Sequence, residues 1–274
     1  MAEDFTVHQL LSTRTVTLVD VECSGICREP GAAETVEDTQ LVFPYRGVYV
    51  RHIGDDATVA EANQVVFFNV GESYRISHPV VGGDASLVLM IEDAVLRELV
   101  PENVGRGNPL IFVPRRLRID PRAQALVALL RHTLWQGTAD ALEAESLALT
   151  LAQRAVGPRT SHATDASLAQ RRLVDRVKIV LASDLARRWT LSEIAREVRG
   201  SPVYLTQVFQ QVEGVPLYRY QLRLRLAKAL DLMPQYEDLS ALSHDLGFSS
   251  HSHFSAAFRQ AYGRSPSEFR QSAG

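Results

Sequence analysis

Histidines and cysteines are the side chains of this chain that could bind a metal or act in catalysis, so their spacing comes first. His251 and His253 lie two residues apart in the stretch 247–270, GFSSHSHFSAAFRQAYGRSPSEFR. Helical metal ligands usually lie three or four residues apart, so these two side chains point to different faces. We expect His253 to pack on the core side and His251 to lie on the surface. The stretch predicts no catalytic residue, metal or cofactor.

Cys23 and Cys27 form the second candidate pair, in the segment ECSGICRE. Residues four apart on a continuous strand share a face, although a bulge at Gly25 would change that. Two neighbouring thiolates can be oxidised together or capture a soft ion. A thiol or metalloid sensor and two unreactive buried cysteines therefore both stay open.

Length and composition indicate an ordinary globular protein of two domains. The chain has 274 residues, of which 46% are hydrophobic and 22% charged. Its apolar runs are broken by acids well short of the roughly 18 residues that a membrane-spanning helix needs. The N-terminus lacks the pattern of a signal peptide, and two cysteines are too few for a disulfide framework. We therefore expect a cytoplasmic protein with no membrane partner.

The hydrophobic period changes along the chain and divides it into segments. Residues 12 to about 92 alternate like short strands separated by Gly, Pro, Asp and Asn, which favours a barrel or a sandwich. From Pro121 the period becomes helical. The predicted segments are a β-rich domain at 1–120, a helical region at 121–156, a polar linker at 157–167 and an all-helical domain at 168–274.

The last segment contains an internal near-repeat. LSEIAREVRGSPVYLTQVFQQVEGVP aligns with LSALSHDLGFSSHSHFSAAFRQAYGRSP, and each copy predicts a short helix, a glycine-bearing turn and a second helix. We place the turns at Gly200 and Gly247. Thr190 with Glu193 predicts a capping box, and Ser265 begins a final helix in the same way. Two such hairpins in register predict a pair of helix-turn-helix units, with solvated hairpins of no DNA-binding role as the alternative.

The exposed faces of the second helices carry side chains that can read DNA. Amides pair with adenine, hydroxyls adapt to several bases, and small apolar groups contact the thymine methyl group. Arginines suit phosphates, and residues 171–274 hold 15 Lys and Arg against 10 Asp and Glu. The residues predicted to contact DNA are Val203, Thr206, Gln207, Gln210, His251, Ser252, Ser255, Ala256, Arg259 and Arg264.

The second copy carries a family resemblance. Its Gly-Phe turn, Ser-x-x-x-Phe helix and Gly-x-x-Pro exit resemble the signature of the AraC/XylS family of bacterial transcription regulators. The resemblance covers about 100 residues. It implies a seven-helix domain that binds double-stranded promoter DNA and contacts RNA polymerase. The first recognition helix departs from the family by carrying glutamines where an arginine or lysine is frequent, which lowers its expected share of the affinity.

The resemblance also implies a cupin-like barrel in the N-terminal half, with an effector site or a dimer interface. The fold class we predict is therefore α+β multidomain, with a β-rich barrel and following helices before the all-α domain. An enzymatic cupin needs His-x-His, Glu and a later His, and here only His52 and His78 are suitably placed, so we predict no enzyme. A cupin-type metalloenzyme stays as the alternative. The residues predicted to line an effector pocket are Phe43, Tyr45, Tyr49, Phe67, Tyr74 and His78.

Apolar residues on the helices of the 121–156 region exceed what a small barrel needs. We predict a homodimer interface there, and packing onto the barrel within one subunit is the alternative. The candidate interface residues are Leu126, Leu129, Leu130, Leu142, Leu147 and Leu151.

Overall fold

The N-terminal part of the chain is built on β-sheets and the C-terminal part on helices. The computed structural model describes residues 5–25, 27–157 and 166–273. They divide into two units, one on each side of the stretch 158–165, and each unit is considered by itself. Most of the predicted linker 157–167 lies outside the described residues.

The first unit consists of short strands followed by three helices. Its strands begin earlier than the sequence pattern predicts, at Phe5, and three short strands follow the predicted strand region. The strands are β1 (Phe5–Ser12), β2 (Val16–Cys23), β3 (Glu34–Thr35), β4 (Gln40–Arg46), β5 (Tyr49–Ile53), β6 (Asp56–Ala60), β7 (Gln64–Phe68), β8 (Ser73–Ser77), β9 (Asp84–Ile91), β10 (Gly105–Arg106), β11 (Ile111–Phe112) and β12 (Arg116–Arg118). The helices are α1 (Asp93–Leu99), α2 (Pro121–Trp135) and α3 (Ala141–Val156).

Two larger antiparallel sheets and the two-stranded sheet β10-β11 form the described part of this unit, and neither larger sheet closes into a barrel. The larger sheet has the strand order β1-β2-β9-β4-β7-β12, and the smaller one has the order β3-β8-β5-β6. The predicted β-rich N-terminal domain followed by a helical domain is confirmed, but the cupin-like barrel is not closed. In the described part of the chain β1 and β12 remain the edges of the larger sheet. Strand alternation shows that a face is buried, but it does not show whether another sheet or a helix covers that face.

The central strands β4, β7 and β9 of the larger sheet are buried on both faces, which explains their nearly continuous apolar sequences. On one face Val42, Val66 and Val88 pack in a cluster with Tyr49 and Ala60 of the smaller sheet. The other face packs against the helices in a second, larger cluster. That cluster includes Leu18, Phe43, Phe67 and Leu89 from the sheet and Leu130, Ala148 and Leu151 from α2 and α3.

The apolar faces of α2 and α3 are thus largely used inside the subunit. Leu130 and Leu151 are fully buried, and Leu126 and Leu147 pack against the same cluster. Packing within one subunit, the alternative raised from the sequence, accounts for these four residues. Leu142 is 71% exposed and is the candidate interface residue that stays most open to solvent.

The second unit is helical throughout. Its helices are α4 (Leu168–Ser183), α5 (Leu191–Glu197), α6 (Pro202–Glu213), α7 (Leu217–Leu232), α8 (Leu239–Asp245), α9 (His251–Tyr262) and α10 (Pro266–Ala273), with a 3-10 turn at Met233–Gln235. The described part of this unit therefore contains the seven α-helices that the family resemblance implies. Nowhere in the described residues does a helix combine the length and apolar character that crossing a membrane requires.

Candidate nucleic-acid interface

Helices α5 and α6 form the first helix-turn-helix unit. Thr190 and Glu193 make the predicted capping box at the start of α5, and hydrogen bonds from the Thr190 side chain and backbone lower the pKa of Glu193 to about 2. Gly214 ends α6 in the left-handed conformation, which is common after a helix. The capping box therefore defines the start of α5, and Gly214 defines the end of α6.

The buried face of α6 packs into the helical core, and its opposite face is open. Leu205, Val208, Phe209 and Val212 are buried. Because these four residues recur at helical spacing, they occupy one face of α6 and leave the opposite face open to solvent. The four predicted DNA contacts of this helix, all exposed, are Val203, Thr206, Gln207 and Gln210. The Thr206 hydroxyl donates a 3.0 Å hydrogen bond to the Pro202 carbonyl, so it can still accept one from a base.

Helices α8 and α9 repeat this arrangement. Phe254, Ala257 and Phe258 are buried, and the Ser250 hydroxyl accepts a 3.1 Å hydrogen bond from the His253 backbone N–H at the start of α9. Gly263 ends the helix with a φ of 77°. The predicted contacts His251, Ser252, Ala256, Arg259 and Arg264 are exposed, whereas Ser255 is half-buried. The Ser255 hydroxyl also lies 3.2 Å from His251 Nε2.

The prediction that His253 packs on the core side is wrong, because His253 and Tyr204, its equivalent in the first copy, are both exposed. Tyr204 is 49% exposed, and His253 at the equivalent position of α9 is also exposed. The His253 ring lies edge-on to Phe248 and its Nδ1 is 3.1 Å from the Ser249 hydroxyl. Both positions sit at the border of the apolar stripe, where the helical period alone does not decide the side chain's direction. The structure thereby adds two candidates to the exposed surface.

Both turns contain the predicted glycine, but they differ in which residue is left-handed. Gly200 lies between the end of α5 at Glu197 and the start of α6 at Pro202. Gly247 adopts a φ of 78°, whereas in the first turn Arg199 rather than Gly200 takes the left-handed conformation, with a φ of 54°. Counting 48 residues back from Gly247 gives Arg199, so the geometry is repeated although the residue type is not.

Arg225 of α7 holds the second turn against the loop before α5. Its guanidinium donates to the carbonyl oxygens of Leu185 at 2.8 Å, Ala186 at 3.1 Å and Gly247 at 3.2 Å. Burial lowers the pKa of this arginine. A single side chain on the helix between the two helix-turn-helix units therefore connects the loop that precedes the first to the turn of the second.

A buried ion pair supports the first helix-turn-helix unit from α4. Lys178 Nζ lies 2.7 Å from Glu213 Oε1, and both side chains are almost fully buried. Lys178 also lies 5.4 Å from the centre of the Tyr220 ring. The pair joins α4 to the C-terminal end of α6, so it helps to fix where the recognition helix ends.

Comparisons with known proteins agree with this geometry. A family model described as a helix-turn-helix domain matches residues 194–272, which contain α6 and all of the second helix-turn-helix unit. The C-terminal unit is an AraC-type helix-turn-helix domain.

Curated relatives resemble different shares of the chain. The transcriptional activator RhaR of Klebsiella pneumoniae is 34% identical over 128 residues, covering 46% of this chain and 43% of RhaR. The Msm operon regulatory protein of Streptococcus mutans is 27% identical over 112 residues, 40% of each chain. The chain thus spans about two fifths of the length of these two relatives. The probable transcriptional regulator LumQ of Photobacterium leiognathi is 28% identical over 215 residues, covering 75% of this chain and 81% of LumQ.

Solved structures give two further similarities. A Chromobacterium violaceum regulator with an AraC-type DNA-binding domain is 25% identical, with a TM-score of 0.37, and covers 39% of this chain and 97% of its own. ToxT from Vibrio cholerae is 15% identical, with a TM-score of 0.37, and covers 98% of this chain and 98% of its own.

Outside the AraC-type domain, the residues predicted to line an effector pocket are divided between two packed clusters. Phe43, Tyr45 and Phe67 lie in the cluster between the larger sheet and the helices, whereas Tyr49 and Tyr74 lie between the sheets. The Tyr45 hydroxyl donates a 2.7 Å hydrogen bond to the buried Asp20. The structure does not bring these five rings to one place.

The described part of the first unit does contain an open groove, at another position. It has a volume of about 430 Å³ and is lined by residues that include Thr13, Asp38 and Pro109. The six residues predicted for the pocket are not among those that line it.

His78, the sixth predicted pocket residue, lies with the two cysteines instead. Its Nδ1 is 3.2 Å from Cys27 Sγ, and its Nε2 is 2.7 Å from Asp84 Oδ2. The hydrogen bond to Asp84 is the main reason why the pKa of His78 is raised to about 9. Cys23 ends β2 and Cys27 lies in the loop beyond it, so the two cysteines do not share a continuous strand. Neither cysteine forms a disulfide.

Asp84 is the member of this group that the sequence analysis missed. A signal was available in the spacing HPVVGGD, where the carboxylate follows the histidine by six residues across a glycine pair. That spacing gains meaning only when β2 and β9 are known to pair, because the pairing brings Cys23 opposite Asp84.

Proposed function

We propose that the chain is a sequence-specific transcription regulator that binds promoter DNA through both helix-turn-helix units. The observation that carries this proposal is the repeated frame of the AraC-type domain, which leaves two capped second helices exposed. Each presents small, hydroxyl or amide side chains on its open face, as base reading requires. Arg259 and Arg264 lie at the C-terminal end of α9, where they can contact phosphates.

The N-terminal unit is proposed to control how the DNA-binding unit is presented. An effector or a second copy of the chain that prefers one conformation would shift the population towards it and change promoter affinity. We further propose a cytoplasmic homodimer that contacts RNA polymerase and catalyses no reaction. The name of RhaR as an activator supports activation as the output. A regulator controlled only by its own abundance is the second candidate.

Selection of bound duplexes from a random DNA pool by the full chain would test the proposal and supply an operator. On that operator, Gln207→Ala should cost about 1–3 kcal/mol of binding and relax the preference at one base position. Arg264→Ala should weaken binding on all sequences. It should also make the slope of the logarithm of the binding constant against the logarithm of salt concentration shallower by about one.

The chain offers a matched control for each change. Gln211 is exposed on the same helix but its amide oxygen accepts a hydrogen bond from Gln170 of α4, so Gln211→Ala should leave the base preference unchanged. Arg172 is exposed on α4 and serves as the control for Arg264. Equal loss on every sequence for Gln207→Ala would contradict its role in base reading, and failure to enrich any duplex would overturn the proposal.

A further inference from the structure

Four side chains with metal-binding chemistry meet at one end of the larger sheet. Cys23 is the last residue of β2, and its partner across the ladder is Asp84, the first residue of β9. His78 follows β8 directly, and Cys27 lies in the loop after β2. One ligand atom each of Cys23, His78 and Asp84 lie within 4.8 Å of one another. We call Cys23, Cys27, His78 and Asp84 the cysteine–histidine cluster.

The imidazole of His78 directs its two nitrogens to different partners. Nδ1 lies 3.2 Å from Cys27 Sγ, and a Cβ added to Gly25 would lie 3.0 Å from this nitrogen and 2.9 Å from Cys23 Sγ. Nδ1 and Cys23 Sγ therefore both lie beside Gly25, and Cys27 Sγ reaches the same nitrogen from the loop. Nε2 lies 2.7 Å from Asp84 Oδ2 on the other side of the ring.

This arrangement matches the way in which proteins hold a thiolate-preferring cation. Two sulfurs and one imidazole nitrogen are ligands that Zn²⁺ accepts readily, whereas Mg²⁺ and Ca²⁺ require oxygen ligands. A metal-bound histidine typically donates its second ring N–H to a carboxylate, which fixes the ring's orientation. Asp84 stands where that carboxylate is expected, and it also offers a further oxygen ligand.

The backbone supports the same geometry. The Gly25 N–H donates a 3.3 Å hydrogen bond to Cys23 Sγ. The His78 N–H donates a 2.6 Å hydrogen bond to the Cys27 carbonyl. Gly83 approaches this region so closely that a Cβ there would lie 2.2 Å from the Cys23 carbonyl oxygen. The loop that carries Cys27 is thus fastened to His78 by main-chain contacts, and the cluster is held in place before any ion arrives.

We propose that the cysteine–histidine cluster binds one thiolate-preferring divalent cation of the Zn²⁺ class. Cys23, Cys27 and His78 Nδ1 are the ligands, and Asp84 positions the His78 ring through Nε2. Binding displaces the protons of the thiols and of the ring nitrogen, so affinity falls as the pH falls. This site belongs to the first unit and does not depend on the proposed DNA-binding function.

Co²⁺ is the probe for the test, because its absorption reports tetrahedral coordination and thiolate-to-metal charge transfer. The full chain, reduced and stripped of metal, is expected to take up one equivalent of Co²⁺ with a thiolate charge-transfer band, and one equivalent of Zn²⁺ should displace it. Cys27→Ser should weaken this band and lower the affinity at least tenfold. Asp84→Asn should lower the affinity roughly 10- to 100-fold and retain the band.

His52 provides the matched control. It lies on the neighbouring strand β5 with its Nε2 2.8 Å from the Ser77 hydroxyl, and His52→Ala should bind Co²⁺ like the unchanged chain. Because a cysteine variant can fail to fold, the unchanged chain supplies a second measurement. Zn²⁺ should protect both thiols from alkylation at least tenfold, as measured by mass spectrometry of the two cysteine peptides.

Three results would overturn the proposal. They are the absence of a thiolate band with fully reduced protein, unchanged Co²⁺ binding in the Cys23→Ser/Cys27→Ser double variant, and no protection from alkylation by Zn²⁺. Formation of a Cys23–Cys27 disulfide on addition of peroxide, without any uptake of Co²⁺ by the reduced chain, would assign the pair to redox chemistry instead.

Discussion

Gly247 in the turn of the second helix-turn-helix unit is the position where a single methyl group should do most damage. Its φ of 78° lies in the left-handed region, and an added Cβ would stand 2.0 Å from the Ala186 carbonyl oxygen and 2.8 Å from the carbonyl carbon. These neighbours are backbone atoms and cannot rotate away. Gly247→Ala therefore combines a conformational penalty with a forced displacement of the loop before α5.

The two contributions can be estimated separately. Placing an L side chain in the left-handed region costs roughly 1–2 kcal/mol. Moving Ala186 disturbs the 3.1 Å hydrogen bond that its carbonyl accepts from Arg225 Nη2. A hydrogen bond to a charged group contributes roughly 1.5–3 kcal/mol. We expect Gly247→Ala to lower the free energy of unfolding of this unit by about 2.5–5 kcal/mol in total.

Gly263 offers a matched control from the same unit. Its φ is 77°, but an added Cβ would meet no heavy atom within 4 Å. Gly263→Ala therefore carries only the conformational penalty of about 1–2 kcal/mol. The difference between the two variants isolates the steric and hydrogen-bond contribution of the close approach to Ala186.

Urea denaturation followed by tryptophan fluorescence measures both variants. The chain has two tryptophans, one in each unit, so a Trp135→Phe background leaves Trp189 as the reporter of the C-terminal unit. Trp189 donates a 2.9 Å hydrogen bond to the Asp184 carbonyl, in the loop that Gly247→Ala would move. If Gly247→Ala were no more destabilising than Gly263→Ala, the reasoning from the close contact would be refuted.

Three further predictions concern the same unit. Arg199→Gly should stabilise it by about 0.5–1 kcal/mol in urea denaturation, and a loss of stability would contradict this. Glycine removes the penalty of holding an L side chain in the left-handed region, and part of that gain is offset because glycine increases the conformational entropy of the unfolded chain. Lys178→Met should cost about 3–5 kcal/mol by leaving Glu213 without its buried cation, and adding Glu213→Leu should recover most of that loss; equal stability of the single and double variants would argue against the pair. Glu193 has a pKa lowered from 4.5 to about 2, so its stabilisation is present above about pH 4.5 and lost as the pH falls towards 2. Glu193→Gln should remove this part of the pH dependence, measured by thermal unfolding between those two values; an unchanged pH profile would exclude the capping box as its source.

The helical half was predictable because its signals are local. Each capping box spans only four consecutive residues, one beginning at Thr190 and the other at Ser265, and the structure confirms both. The repeat fixed which residues of α6 and α9 face the core, except at the border positions Tyr204 and His253. The turn of the first helix-turn-helix unit contains Gly200 as predicted, but the sequence did not indicate that Arg199 is the residue that takes the left-handed conformation.

For the β-rich half, only the fold class was predictable from the sequence. Alternation identified buried faces, but α2 and α3 rather than more strands cover one face of the larger sheet, so no barrel closes in the described chain. The edge strands β1 and β12 and the helix α1 were missed, because short elements at the ends of a sheet carry a weak periodic signal. The predicted pocket failed to assemble for a related reason: strand parity places rings on a face, and the sheet order decides which rings meet.

The contrast between the two halves follows from how far apart in the chain the cooperating residues lie. Residues on one face of α6 or α9 recur every three or four positions, so about a dozen consecutive residues contain the whole exposed face of each helix. The cysteine–histidine cluster takes Cys23 from the end of β2, Cys27 from the loop after it, His78 from the residue after β8 and Asp84 from the start of β9. The ladder between β2 and β9 brings Cys23 opposite Asp84, and a main-chain hydrogen bond joins Cys27 to His78. A motif search along the chain therefore finds the predicted DNA-reading surface and passes over the cluster, even though the cluster's ligand types are the more distinctive chemically. In the first unit, it is the pairing between strands that reveals the proposed metal site.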